Sequence, residues 1–88
     1  MVEWQLVYTK QAIKDSKRIA QSGFKNRVTK LLNILKTDPY KTPPKYEKLI
    51  GDLQKAYSRR INIQHRLVYE ILDDIKTVKV IRMWTHYD

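Results

Sequence analysis

From Ala56 to Leu72 the chain reads AYSRRINIQHRLVYEIL. Within this stretch Ala56 to Ile61 and His65 to Leu72 alternate with a period of two, the spacing of strands rather than helices. Thr77 to Trp84 repeats the pattern after Asp73-Asp74, a pair that marks a turn. Three strands in succession predict an antiparallel meander. Leu67, Tyr69 and Ile71 share one face of the middle strand and are assigned to the core, which turns Arg66 and Val68 to the open face. By the same alternation Ile81 and Met83 take the core face of the last strand, leaving Arg82, Trp84 and His86 outside.

Upstream, Val2, Trp4, Leu6 and Tyr8 alternate with more polar neighbours and predict a first strand. Thr9 then offers a hydroxyl to cap a helix. Ala12, Ile13, Ser16, Ile19 and Ala20 recur at helical spacing until Gly23, a typical residue just past a helix end. A second apolar stripe, Phe24, Val28, Leu31, Leu32 and Leu35, stops before Asp38-Pro39. These helices carry eight lysines and arginines against one acid, Asp15, so their outer face is expected to be strongly positive. Pro39, Pro43, Pro44 and Gly51 then predict a loop from Asp38 to about Asp52, with room for one helical turn at Tyr46 to Ile50. The sum is a single α+β domain over residues 1–88 in the order β-α-α-β-β-β. Its sheet is expected to be largely antiparallel, with two helices on one face.

Eighty-eight residues leave room for one core, and 18 Lys and Arg against 9 Asp and Glu leave a net charge of +9. Such an excess points to a polyanionic partner, nucleic acid first. A merely basic soluble protein is the plain alternative. There is no cysteine, which excludes a disulfide framework, a thiolate nucleophile and a sulfur-built zinc site. The N-terminal residues contain neither a signal peptide nor a membrane-spanning run, so the expectation is a cytoplasmic protein with no membrane partner.

No glycine-rich phosphate loop or Gly-x-Ser-x-Gly elbow is present, and His65 and His86 are not spaced as metal ligands, so neither a metal nor another cofactor is expected. What remains for chemistry is Glu47 in the proline-bounded loop, Arg59, Arg60 and Arg66 on strands, and His86-Tyr87 near the C-terminus. Cutting RNA without a metal needs a base for the ribose 2′-hydroxyl, cationic donors for the phosphorane oxygens and an acid for the departing 5′-oxygen. A carboxylate, guanidinium groups and an imidazole can divide those tasks. Plainer roles stand beside each. Glu47 lies between Lys45 and Lys48 and can be a local ion-pair partner, Arg66 can pair with Glu70, Arg59-Arg60 can be a solubilising pair, and His86 can be surface decoration.

Taken together, Tyr46-Glu47-Lys48-Leu49, Tyr57-Ser58-Arg59-Arg60-Ile61-Asn62, His65-Arg66-Leu67-Val68-Tyr69 and Met83-Trp84-Thr85-His86-Tyr87 resemble the Txe/YoeB toxins of bacterial type II toxin–antitoxin modules. The likeness runs over essentially the whole chain. It implies a RelE-like fold and a ribosome-dependent endoribonuclease that cuts messenger RNA in the ribosomal A site, inhibiting translation. On this resemblance Glu47 is the general base, Arg66 stabilises the scissile phosphate, His86 is the acid and Tyr87 helps position the substrate. Lys48, Arg59 and Arg60 fall where the family has basic residues for RNA backbone contacts. The resemblance also implies an acidic cognate antitoxin, operator DNA bound only through the toxin–antitoxin complex, and homodimers among the assemblies of the family. Two other classes remain open from the residues alone: a non-catalytic inhibitor of DNA gyrase on the same fold, and a basic nucleic-acid-binding module. The combination of Glu47, Arg66 and His86 separates the nuclease from both.

Overall fold

The computed structural model of the chain describes residues 3–49, 56–63 and 65–83. Its first strand, β1 (Gln5–Tyr8), stops at Thr9, whose side chain starts α1 (Lys10–Gln21). The Thr9 hydroxyl accepts from the Ala12 N–H at 3.0 Å and donates to the Ile81 carbonyl at 2.8 Å. One cap therefore satisfies a helix donor and ties the helix to the last strand. Ser22, rather than Gly23, closes α1: its hydroxyl donates to the Ile19 carbonyl at 2.9 Å and accepts from the Phe24 N–H at 3.2 Å. Helix α2 (Lys25–Thr37) follows at once and ends where Asp38 precedes Pro39.

The remaining elements are β2 (Tyr46–Lys48), β3 (Ala56–Arg60), β4 (Arg66–Leu72), a 3-10 turn at Asp73–Ile75 and β5 (Thr77–Arg82). They complete one five-stranded sheet in the order β1-β5-β4-β3-β2, antiparallel except where β1 lies beside β5. Strands β1 and β2 occupy opposite edges, and the helix pair carries the chain between them. The predicted meander is β3-β4-β5. Its last turn ends at Lys76, which adopts a left-handed conformation (φ 49°) and sets its ammonium 4.8 Å from the centre of the Trp4 ring.

Strand β2 corrects the expectation of a loop with one helical turn. Without it, β3 would present an unpaired row of backbone N–H and C=O groups. Tyr46 holds it in place, with its ring edge-on to Tyr57 at 5.6 Å and the Arg59 guanidinium 5.0 Å above it. Three residues carry no readable period, so nothing in the local pattern announces this strand.

Leu67, Tyr69 and Ile71 are buried as assigned, clustering with Val78 and Val80 of β5 and with Ile19, Val28 and Leu35 of the helices. The alternation on β5 differs from the sequence reading. A register shift between Val68 and Tyr69 pairs Tyr69 with Val80 and Val68 with Arg82. The extra residue moves the core parity from Ile81 to Val80, then restores it at Met83, which is buried.

Helix α1 is also rotated from its expected stripe. Ile13 and Ala20 are exposed, and the buried residues are Ala12, Asp15 and Ile19. The Asp15 carboxylate accepts from Gln11 Nε2, Arg82 Nε and the Met83 N–H, each at 3.0 Å. Arg82 is thus drawn to α1 rather than left on the open face. With the one helical acid turned inward, the eight lysines and arginines of the two helices are all exposed, as the charge pattern predicts. Replacing Asp15 by Ala strands the buried Met83 N–H, whereas the Arg82 side chain, 40% exposed, can rehydrate. The expected loss is about 2 to 3 kcal/mol, read from urea unfolding. A change below about 0.5 kcal/mol, the range of ordinary surface substitutions, would show that this carboxylate holds nothing in place.

Candidate active site

Glu47 and Arg66 lie nineteen positions apart in sequence and meet through the ladder. On β2 Glu47 stands opposite Ser58 of β3, and one step along β3 in the same parity Arg60 stands opposite Arg66 of β4. Glu47, Ser58, Arg60 and Arg66 therefore share the sheet face away from the helices. Arg66 Nη1 donates to Glu47 Oε2 at 3.2 Å, an ion pair that crosses over β3. These four residues, with Pro44 and Lys45, line a cleft of about 370 Å³.

The pair contributes little to stability. The Glu47 side chain is 56% exposed and that of Arg66 22%, and pairs in such surroundings are typically worth about 0 to 1 kcal/mol. Its consequence is positional: a guanidinium and a carboxylate are held side by side on one cleft. A second hollow, lined by Arg27, Lys30, Leu31, Ile34, Pro44, Arg60 and Ile61, shares Pro44 and Arg60 with the first. Cationic side chains thus continue from the cleft onto α2. A third, of about 320 Å³, is lined largely by apolar residues including Ile13, Ile19, Val28 and Leu32, with no carboxylate among its described residues.

Arg60 is exposed at the cleft, where its place in the ladder brings it beside Arg66. Two of the other basic residues expected on RNA are not there. Arg59, opposite Leu67, is on the helix side and 0% exposed. Its Nε donates to the Tyr69 hydroxyl at 2.9 Å, Nη2 to the Pro39 carbonyl at 2.9 Å and Nη1 to the Pro44 carbonyl. This corrects the assignment of Arg59 to RNA backbone contact, because every group of its fork is spent inside the fold. Burial pushes the Tyr69 phenol above its ordinary value, with the Arg59 cation opposing, so the phenol is a neutral acceptor. Lys48, opposite Tyr57, has the parity of Arg59 rather than of Glu47 and does not line the cleft. Lys45, just before β2, lines it instead.

His65 is buried, with its N–H donating to Asn62 Oδ1 at 2.7 Å and its carbonyl accepting from the N–H groups of Ile61 and Asn62. It belongs to the β3–β4 hairpin. Trp84, His86 and Tyr87 lie outside the described residues.

The family model for the YoeB-like toxin of the bacterial type II toxin–antitoxin system matches residues 8–87. The chain belongs to this family. A YoeB toxin of Streptomyces coelicolor is 38% identical over 72 residues, covering 80% of this chain and 86% of that protein. Among solved structures, the YoeB/ParE toxin from Agrobacterium tumefaciens superposes with a TM-score of 0.84 at 28% identity, over 94% of this chain and 99% of the other. The YoeB-YefM complex from Staphylococcus aureus gives 0.78 at 32% identity, over 96% and 98%. A YoeB dimer from the same species gives 0.79 at 31%, also over 96% and 98%. This YoeB-family toxin therefore has the RelE-like α+β fold, with β2 added to the expected order of elements. The family to which the four sequence segments pointed is the one found.

Proposed function

We propose that this toxin is an endoribonuclease that cuts messenger RNA in the ribosomal A site by acid–base transesterification, and so stops translation. The observation that carries this reading is the Glu47–Arg66 pair, 3.2 Å apart on a cleft that Arg60 and Lys45 also line. A scissile phosphate entering between them takes over the Arg66 fork, for which a phosphate is a bidentate partner. Glu47, released, accepts the proton of the neighbouring ribose 2′-hydroxyl as its oxygen attacks phosphorus. Arg66 stabilises the charge on the phosphorane oxygens, and Arg60 beside it holds the RNA backbone. His86, assigned by resemblance, protonates the departing 5′-oxygen. The products are a 2′,3′-cyclic phosphate and a free 5′-hydroxyl. The cationic side chains continuing through Arg60 to Arg27 and Lys30 supply a path for the flanking phosphates.

The partners follow from the same reading: messenger RNA and the ribosome in the cytoplasm, and an acidic antitoxin. The relative solved with YefM supports the antitoxin, and a chain of +9 charge favours capture by an acidic partner. The test is induction of the protein followed by mapping of 5′-ends on messenger RNA, with translation running or blocked at initiation. New 5′-hydroxyl ends should appear inside translated regions and vanish when initiation is blocked. Absence of new ends, or equal cutting of untranslated RNA, would overturn the proposal.

A further inference from the structure

Ser58 lies at the bottom of the cleft and does nothing visible there. It is 1% exposed, and its Oγ is buried with no hydrogen-bond partner among the described residues. Leaving a buried hydroxyl unpartnered is unfavourable, and native folds rarely retain one without a use for it. Its neighbours on the same face and strand level do not supply a partner: Val68 opposite it on β4 and Ala56 two residues before it on β3 are both apolar and buried. An alanine would fit this position without the orphaned group.

The residue opposite Ser58 on the other side is Glu47. Directly opposed residues in an antiparallel ladder have Cβ atoms about 4.5 to 5.5 Å apart, close enough for a serine hydroxyl and a glutamate carboxylate to meet after rotation of their side chains. In the free protein that carboxylate is instead held by Arg66 Nη1 at 3.2 Å. The two demands on Arg66 then conflict. A guanidinium that closes on a phosphate leaves Glu47 without this donor at the moment when its aim matters most.

We propose that Ser58 is the positioning residue of Glu47: with RNA in the cleft, its Oγ–H donates to the Glu47 carboxylate in place of Arg66 and holds it toward the ribose 2′-hydroxyl. This rests on the nuclease reading above and deepens it. The arrangement is an exchange of partners, in which phosphate takes Arg66 and the orphaned hydroxyl takes Glu47. It explains why a buried polar side chain without a partner is placed beneath that ion pair.

The experiment compares the parent with Ser58→Ala, Glu47→Ala and the double variant in cleavage of messenger RNA programmed on purified ribosomes, with thermal unfolding of each. Alanine is smaller than serine and removes an unsatisfied group, so Ser58→Ala should unfold at the parent temperature or above it. Its kcat should fall about tenfold, the scale of a hydrogen bond to a charged group, with KM unchanged. In the Glu47→Ala background the same substitution should change the residual rate by less than about twofold, because the hydroxyl acts through that carboxylate. Parent-like kcat in Ser58→Ala overturns the proposal. So does a raised KM at unchanged kcat, which would mean that the hydroxyl touches RNA, and so does a full tenfold loss in the Glu47→Ala background. The nuclease reading fails separately, by Glu47→Ala cutting as fast as the parent.

Discussion

Glu47→Gln and Arg66→Ala should each slow cleavage of ribosome-bound messenger RNA by at least about a hundredfold while leaving the fold intact. A positioned general base typically contributes about 10²- to 10⁴-fold, and glutamine keeps the shape of Glu47 while losing its ability to take a proton. Removing a donor aimed at developing oxyanion charge typically costs about 10²- to 10³-fold. Arg66→Lys should recover only part of that loss, since an ammonium keeps the charge but not the two-pronged geometry. Stability is the control. The pair is largely solvent-screened and worth at most about 1 kcal/mol, so both variants should melt within a few degrees of the parent. Because both residues serve one chemical step, the double variant should be little worse than the poorer single one. Single-turnover cleavage with thermal unfolding decides the matter. Parent-like cutting by either variant removes that residue from the mechanism.

The strands of the meander were legible because the sequence alternates along them and Leu67, Tyr69 and Ile71 bury the helix-side face of β4. Ala56, Ser58 and Val68 on the other face are buried as well, which the alternation did not show. The helices were legible from the Thr9 cap of α1 and from the stripe of Val28, Leu31 and Leu35 on α2. What escaped depends on pairing. Nothing local says that Tyr46–Lys48 lies beside β3, and the shift between Val68 and Tyr69 that moves the β5 parity exists only once two strands meet. Asp15 was within reach: three residues after Ala12 and four before Ile19, it falls on the buried stripe. Its charge argued for the surface until Arg82 and the Met83 N–H supplied partners. At the site, residue types pointed to Glu47 and Arg66, but the 3.2 Å contact between them needed the register of three strands. Grouping Arg59 with Arg60 by charge hid the opposite parity of neighbouring residues on one strand.

That parity makes Arg59 the residue whose loss should damage the fold most. Arg59→Ala is expected to destabilise the protein by about 4 kcal/mol, within the range for removing a large, fully bonded buried side chain. The substitution leaves the Tyr69 hydroxyl and the Pro39 and Pro44 carbonyls to find new partners around a cavity, and takes the cation from above Tyr46. Arg59→Lys should fare little better, because one compact ammonium cannot reproduce a planar fork reaching three acceptors. The midpoint of thermal unfolding for a domain of this size moves about 4 to 8 °C per kcal/mol, so the alanine variant should melt at least about 15 °C lower. The damage should also reach the cleft. Arg59 ties the segment from Pro39 to Tyr46 onto the sheet, and Glu47 is the next residue along. Below its melting point Arg59→Ala should therefore lose kcat through misplacement of Glu47, whereas Arg60→Ala should keep its stability and raise KM for the RNA-bearing ribosome. If instead Arg59→Ala melts like the parent and only weakens RNA binding, the side chain faces the substrate in solution, and the inward assignment of this strand position is wrong.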